Sequence, residues 1–215
     1  MIDKCEALTL RVVPFSETSH MVTWLTRDSG RLVTVVKGAC RPKSLFVGQY
    51  DLYYNCEIVF YRKDRDGVHI LKECCPLNPR PGFRTDWRSA AAAAYAVDLI
   101  SRVSLDNHSQ PELYELATRA LDHLERNTPQ PALLFWFELR VLAALGLSPQ
   151  LDTCIRCGRL FDAPAAAPVR PRFSAHHGGL LCRDCGAAPG TGATPVTLPP
   201  DVISLLRRWQ KTGEP

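Results

Sequence analysis

CCPLNPRPGFRTDWRSAAAAAY, residues 74–95, is the stretch at which the chain changes regime. Pro76, Pro79 and Pro81 lack the N–H that a strand ladder needs. With Gly82 they interrupt regular hydrogen bonding and mark a boundary after residue 80. From Asp86 to Arg102 the sequence becomes strongly helix-forming, and the alanines Ala90 to Ala94 read as a close-packed helix face rather than a low-complexity linker.

Upstream of this joint, short β-prone runs alternate with turn signals: Glu6 to Val13, Met21 to Thr26, Arg31 to Lys37, Asp51 to Tyr61 and Val68 to Cys74. Strands of this number and size predict a small closed barrel. The segment Asp28-Ser29-Gly30-Arg31 supplies a tight turn, and Lys63 to Gly67 a second hairpin. Gly38 to Leu45 reads as a loop, because Gly38, Pro42 and crowded positive charge oppose a continued strand.

Downstream, a second helix is predicted from Pro111 to Arg126, with Leu113, Leu116, Ala117, Ala120, Leu121 and Leu124 on one side. A third runs from Pro131 to Leu145, with Leu134, Phe135, Glu138, Leu142 and Leu145 close in phase, and stops at Gly146. The segments Ala163 to Pro168 and Ala187 to Pro195 are loop-like by composition. Pro200 to Lys211 forms a short amphipathic helix with a basic final turn, read as packing on the helical bundle rather than on a membrane or partner.

The strongest chemical signal is the pair Cys154-Ile-Arg-Cys157 and Cys182-Arg-Asp-Cys185, separated by 24 residues. Two such thiolate pairs can close one tetrahedral S4 site around Zn2+. Gly158 and Gly186 follow the pairs and let the chain turn back, so that backbone N–H groups reach the sulfurs. Four sulfur ligands leave no open position for water, which makes the site structural rather than hydrolytic. Neither pair has the strand-to-helix context of a redox dithiol. His176 and His177 lie close by but are read as loop residues, since the four cysteines fill the shell.

The chain has 215 residues, enough for two modest domains or one domain with a metal-stabilised appendage. No apolar run approaches the ~18 residues needed to cross a bilayer, and the start lacks the basic-then-apolar form of a secretory signal. Nine cysteines are an odd count, and Cys5, Cys40, Cys56, Cys74 and Cys75 suggest no disulfide framework. A reducing, cytoplasmic location is expected.

The net charge of +4 is unevenly placed, with 12 Lys/Arg against 9 Asp/Glu in residues 1–80, 6 against 8 in 81–150, and 8 against 5 in 151–215. The basic ends permit contact with phosphate backbones without requiring it. There is no phosphate-binding glycine loop, no nucleophile turn, no His-Glu-x-x-His and no carboxylate cluster for magnesium, so an enzyme is not expected. Glu138 and Trp87 are read as packing or interface groups.

Arg31, Lys37, Arg41 and Lys43 are interleaved with Phe46 and Tyr50 on the barrel and its loop. Small barrels bind single strands by combining a positive groove with stacking aromatics. The alternative is that Phe46 and Tyr50 belong to the barrel core or rim and the charges to solubility. Arg156, Arg159, Arg170, Arg172 and Arg183 form a second basic set around the cysteines, suited to backbone contact or to a solvated loop.

Several weak motifs occur in a specific order. Glu17-Thr-Ser19, Leu25-Thr-Arg-Asp-Ser-Gly30 and Val35-Val-Lys37-Gly38-Ala-Cys-Arg41-Pro-Lys-Ser44 lie in the barrel region. Glu112-Leu-Tyr114 and Phe137-Glu138-Leu-Arg-Val-Leu142 lead through Gly146 and Leu151 into Cys154, and His177-Gly-Gly-Leu-Leu-Cys182 closes the set. Together they resemble the bacterial RecO family of recombination mediators over nearly the whole chain. The resemblance implies an α+β multidomain fold: an N-terminal OB-fold β-barrel over residues 1–80, then a helical domain whose first part is 81–150. A four-cysteine, zinc-finger-like module follows over 151–196, and a C-terminal helix over 197–215 packs on the helical domain.

It also implies binding of single- and double-stranded DNA, annealing of complementary strands, association with a RecR-like protein, and help in loading RecA onto strands covered by single-stranded DNA-binding protein. The DNA candidates are Arg31, Lys37, Arg41 and Lys43, with Arg11 and Arg27 as weaker ones. Arg126 and Arg140 are candidate receivers for the acidic tail of single-stranded DNA-binding protein, on charge alone. After residue 187 the chain departs from the family pattern, with an alanine, glycine and proline stretch before a single clear helix. The competing classes are a zinc-ribbon RNA-binding factor and a protein scaffold.

Overall fold

The computed structural model describes residues 1–63, 67–161, 171–187 and 194–212. The expected hairpin tip at 64–66, the segment Ala163 to Pro168, Arg170 and residues 188–193 lie outside the described residues. The chain forms two compact units, Met1–Leu134 and Phe135–Pro215.

The first unit opens with β1 (Ile2–Ser16), β2 (Ser19–Thr26), β3 (Gly30–Val36), β4 (Asn55–Tyr61) and β5 (Val68–Asn78), which close a barrel of the OB type in the order β1-β2-β3-β5-β4. β1 is long enough to serve two neighbours. Its first half, Ile2 to Leu8, pairs with β4, and Ala7 to Ser16 pair with β2, both antiparallel. A register shift between Thr9 and Arg11 bends the strand in between. Closure is parallel, with Val33 to Val35 of β3 beside Val68 to Ile70 of β5.

Alternation along these strands sends Ala7, Val22, Trp24, Leu32, Val36, Ile58, Phe60 and Leu71 into one core. Trp24 is wholly enclosed, and its indole N–H donates to Thr34 Oγ1 at 2.8 Å. Burial of an aromatic of this size contributes on the order of 4 kcal/mol, and the paired N–H avoids a desolvation penalty.

Several strand boundaries differ from the sequence expectation: β1 extends beyond Glu6 to Val13 at both ends, and β2 begins at Ser19 rather than Met21. Strand β5 continues through Pro76, which pairs with Cys56 beside a register shift between Asn55 and Cys56. A bulge is a place where a missing N–H is tolerated, so the proline joint begins at Pro79, after the end of β5, and not at Pro76. Asp51 to Tyr54 are turn rather than strand, and Tyr53 takes φ 70, a left-handed conformation incompatible with a ladder. The third strand ends at Val36, one residue before Lys37.

The barrel carries two helices in the same unit. Asp86 caps α1 (Trp87–Val103), accepting from the backbone N–H of Arg88 and the hydroxyl of Ser89. Of the alanine run, Ala92 and Ala93 are buried together with Ala96, whereas Ala91 and Ala94 face solvent. Helix α2 (Pro111–Arg126) packs on α1 and buries the expected leucines and alanines plus Tyr114. Gly30 shows how closely barrel and helices approach. It has φ +64, and a Cβ there would lie 2.0 Å from the His108 carbonyl oxygen in the α1–α2 connection.

Helix α3 (Pro131–Ala144) spans the division between the units. It buries Leu133, Trp136, Phe137, Leu139 and Val141, while Phe135 and Leu142, expected in the buried phase, are exposed. An almost uniformly apolar helix has no periodicity to define a face, so the bulky Trp136 and Phe137 decide the orientation instead.

In the second unit, β6 (Arg172–Ser174), β7 (Gly179–Leu181) and β8 (Val196–Thr197) form a small sheet in the order β7-β6-β8, with α4 (Arg183–Ala187) following β7. Helix α5 (Pro200–Lys211) joins a cluster of Leu151, Leu180 and Ile203. Arg207 donates to the Leu151 carbonyl at 2.7 Å, and Gln210 to the Pro149 carbonyl at 2.7 Å. Arg207 and Gln210 of α5 therefore hold the chain segment that enters the cysteine module, while the basic last-turn residues Arg208 and Lys211 are exposed. Among the described residues, no helix is long and apolar enough to cross a membrane.

Candidate metal centre and nucleic-acid interface

The two cysteine pairs meet as two turns with the same hydrogen bond, the second of them opening α4. Gly158 N–H donates to the Cys154 carbonyl at 2.8 Å, and Gly186 N–H to the Cys182 carbonyl at 2.8 Å. Gly158 adopts φ +74, which is why glycine closes the first knuckle. The halves are tied together by Ile155 N–H to the Leu180 carbonyl at 2.9 Å. Cys182 N–H also donates to the Cys154 sulfur at 3.4 Å.

The four Sγ atoms of Cys154, Cys157, Cys182 and Cys185 all lie within 4.8 Å of one another, with Cys157 and Cys182 at 3.8 Å. A Zn–S bond of about 2.3 Å implies tetrahedral edges of about 3.8 Å, so the spacing fits a single central ion. Burial opposes ionisation of Cys154, but backbone N–H groups of Cys182, Cys157 and Arg156 outweigh it and pull the thiol down to about 6. The side-chain hydrogen bond with Cys182, then desolvation, pushes Cys185 up to about 12. Four sulfurs this close cannot all ionise without a cation among them, and Zn2+ supplies that charge. His177 Nδ1 instead pairs with Ser174 Oγ at 2.9 Å, and the exposed His176 meets His177 edge to face, so both stay outside the sulfur set.

The basic candidates on the barrel fall into two kinds. Lys37, Arg41 and Lys43 are exposed on the segment between β3 and β4 and have no acidic partner among the described residues. This segment is a chain of tight turns, with Arg41 N–H bonded to the Gly38 carbonyl and Ser44 N–H to the Arg41 carbonyl. Gly38 takes φ +72, and the Arg41 side chain folds over it, its Nε 3.6 Å from where a Cβ would stand. Arg11 is likewise exposed and without an acidic partner among the described residues.

Arg31 and Arg27 differ. Arg31 holds Asp106 with both ends of its guanidinium, at 2.6 and 3.1 Å, and also donates to the Ser101 carbonyl. Arg27 pairs with Glu115 at 2.8 Å. These arginines tie the barrel to the helices.

The Recombination protein O N-terminal family model matches residues 1–80, and the Recombination protein O C-terminal model matches residues 84–213. The chain belongs to the RecO family. The DNA repair protein RecO of Syntrophus aciditrophicus is 32% identical over 202 residues, covering 94% of this chain and 75% of that protein. The RecO of Myxococcus xanthus is 35% identical over 215 residues, with 96% and 80% coverage. That of Exiguobacterium sibiricum is 34% identical over 183 residues, with 85% and 70% coverage. The four-cysteine cluster matches the RecO zinc site.

Within this RecO fold, Phe46 and Tyr50 are not free stacking platforms. Both pack against the barrel core, and the Tyr50 hydroxyl is bonded to His20 Nδ1 at 2.8 Å. Arg126 is exposed at the end of α2, whereas Arg140 is half-buried and donates to the Gln210 carbonyl. In the second basic set, Arg156 and Arg183 are exposed, Arg159 pairs with Asp184 at 3.4 Å, and Arg172 is spent on the carbonyls of Gly186 and Pro195.

Sequence reasoning missed Arg80. Its side chain is 0% exposed, paired with Asp122 at 2.7 Å and bonded to the Tyr53 carbonyl. The only local signal was its position in the proline joint, and its partner lies 42 residues away.

The Arg31–Asp106 tie has a pH signature. The hydrogen bond from Arg31 holds the Asp106 carboxyl below the usual carboxylate range. A folded-state value below the unfolded one stabilises the protein above the unfolded value, and that stability is lost as pH falls through the folded value. Asp106 is 61% exposed, so the pair contributes no more than about 1 kcal/mol. The melting-temperature difference between the native protein and Asp106→Asn is expected in full at neutral pH, should begin to shrink near about pH 4 and should vanish only once the pH lies below the depressed folded-state value. A difference that persists in acid would show that the tie is not ionic.

Proposed function

We propose that this RecO-family protein is a recombination mediator in DNA repair. It binds single- and double-stranded DNA through its barrel, anneals complementary strands and helps load RecA onto strands covered by single-stranded DNA-binding protein. The observation that carries the DNA surface is the closed barrel presenting Lys37, Arg41 and Lys43, exposed and without acidic partners among the described residues, on one segment. Neutralised phosphates repel each other less, so two strands held along this segment can pair without bond chemistry or ATP. RecO proteins act as mediators rather than enzymes.

Arg11 extends the same reading along β1, and Arg27 and Arg31 would have to release their carboxylates to join it. A RecR-like protein and the acidic tail of single-stranded DNA-binding protein are the expected partners, the tail docking on the helical domain. There Arg126 is the more accessible candidate and Arg140 the less. The domain organisation that goes with this reading is a barrel over 1–80, a helical domain beginning at 81–150, the four-cysteine module over 151–196 and the terminal helix over 197–215. A cytoplasmic, nucleoid-associated location follows from the role.

The test is annealing of two complementary labelled oligonucleotides, one precoated with the cognate single-stranded DNA-binding protein. Arg41→Ala/Lys43→Ala is expected to abolish most of the acceleration and to lower the salt slope of single-strand binding by about 0.7 per lost contact. An unaltered slope would move the phosphate contacts elsewhere. No acceleration by the intact zinc-loaded protein would favour a scaffold or an RNA-binding factor.

A further inference from the structure

We propose that Cys40, with His20 as its general base and Tyr50 orienting His20, is a site of mixed-disulfide formation with anionic low-molecular-weight disulfides. Three residues distant in sequence converge here. Cys40 Sγ lies 3.3 Å from His20 Nε2, and His20 Nδ1 lies 2.8 Å from the Tyr50 hydroxyl. Tyr50 is half-buried and meets the rings of His20 and Trp24 edge to face, each at 6.1 Å. It is thus a fixed post against which the imidazole is set. Cys40 is positioned by its own N–H, which donates to the Thr18 carbonyl at 3.1 Å, and by its neighbour Ala39, buried in the barrel core.

With Nδ1–H donated to the Tyr50 oxygen, Nε2 presents its lone pair to the thiol. This is the nucleophile, base and orienting group arrangement of activated thiols. Among the cysteines outside the metal centre, Cys56 is buried and Cys5 and Cys74 are half-buried, leaving Cys40 and Cys75 exposed. Cys75 lies opposite Glu57 in the β4–β5 ladder, next to Glu73. Cys40 instead lies between Lys37 and Arg41, with Lys43 close in sequence. The surroundings of Cys40 attract an anionic disulfide.

The reaction is thiol–disulfide exchange. The Cys40 proton passes to His20 Nε2 as the sulfur attacks one sulfur of the disulfide. A new S–S bond forms, the old one breaks, and the departing thiolate recovers the proton from His20. One thiol and one disulfide are consumed and one mixed disulfide and one thiol are formed, so no other oxidant is needed. An anionic adduct at Cys40 places negative charge among Lys37, Arg41 and Lys43 and weakens phosphate binding. That consequence rests on the DNA surface proposed above.

The experiment incubates the full-length zinc-loaded protein with glutathione disulfide, or with the cationic disulfide cystamine, and follows adducts at each cysteine by peptide mass spectrometry. Cys40 is expected to react with glutathione disulfide about tenfold or more faster than Cys75. That advantage should shrink at high salt and with cystamine. His20→Asn should remove most of it, and Tyr50→Phe a smaller part. Equal rates at Cys40 and Cys75 in the native protein would overturn the proposal, as would an unchanged Cys40 rate in a folded His20→Asn protein. Should His20→Asn not fold, the Tyr50→Phe rate and the preference for the anionic disulfide decide in its place.

DNA binding is then measured on the adduct and on Arg41→Ala/Lys43→Ala. Weakening in both links the modification to the proposed surface. Full binding in both overturns the surface and leaves the selective chemistry at Cys40 standing.

Discussion

Replacing Cys154 and Cys157 by serine is expected to abolish zinc binding and unfold the module around the cysteines. The apolar material there is slight: Cys154, Leu181 and Cys182 form the buried cluster, with Phe161 and Cys185 partly buried against it. Two of the three fully buried members are ligands, so the sulfurs serve as core and as metal shell together. Structural zinc in small modules contributes on the order of 10 kcal/mol of apparent folding free energy at neutral pH, far more than this cluster supplies by burial. Native mass spectrometry should fall from one zinc per chain to none. Limited proteolysis should open sites between Leu147 and Lys211 while the barrel, whose core residues lie within the first unit, stays protected. Undiminished zinc content would sink the S4 assignment. Unchanged thermal unfolding with the zinc lost would show that the site is dispensable for the fold.

Arg80→Ala is expected to destabilise the first unit by about 2–3 kcal/mol, because it removes a fully buried guanidinium and leaves Asp122, whose side chain is 29% exposed, without its cationic partner. The guanidinium reaches Asp122 of α2 through Nε at 2.8 Å and also donates to the carbonyls of Tyr53 and Thr118. Asp122 accepts a further bond from Asn78 at 3.0 Å, so one carboxylate gathers the end of β5 onto the helix. Arg80 itself stands at φ 42, a left-handed conformation that costs a non-glycine residue about 1–2 kcal/mol and that the clamp offsets. Against a typical domain stability of about 5–15 kcal/mol this loss is large. Denaturant unfolding of Arg80→Met, Asp122→Leu and the double variant separates packing from charge. The double variant should recover much of the single losses, since no unpaired charge remains. A cost under about 1 kcal/mol for Arg80→Ala would refute the clamp.

The features legible in the sequence are those with local causes. Pro111 and Pro200 set helix starts, Gly30 a turn, and Gly158 the first knuckle, whereas Gly186 lies within α4 and needs no positive φ. The first four each work through their own φ or missing N–H, independent of the rest of the chain. Alternation in the five strand runs was enough to call for a closed barrel, because period-two burial has few other solutions at this size. The metal site was readable because ligand spacing is itself the signal.

Arg31 and Arg80 show where such reading stops. Arg31 carries the same charge as Lys37 and Arg41 in the sequence, yet it is bound to Asp106, 75 residues away, while the other two remain exposed. Nothing in local composition separates a solvent-facing cation from one whose carboxylate arrives from another element. Tyr50 illustrates the same limit for aromatics, since only the closed barrel brings His20 and Trp24 against its ring.

The sequence by itself therefore determined the barrel, its four longer helices and the S4 centre, which follow from backbone preferences and spacing along the chain, but not the small β7-β6-β8 sheet or α4. Tertiary structure alone decided which arginines are free to meet a phosphate, which face of α3 is buried, and that Cys40 stands beside an imidazole. Those outcomes depend on pairings between residues tens of positions apart, whose energies arise only when packing brings them together and removes water.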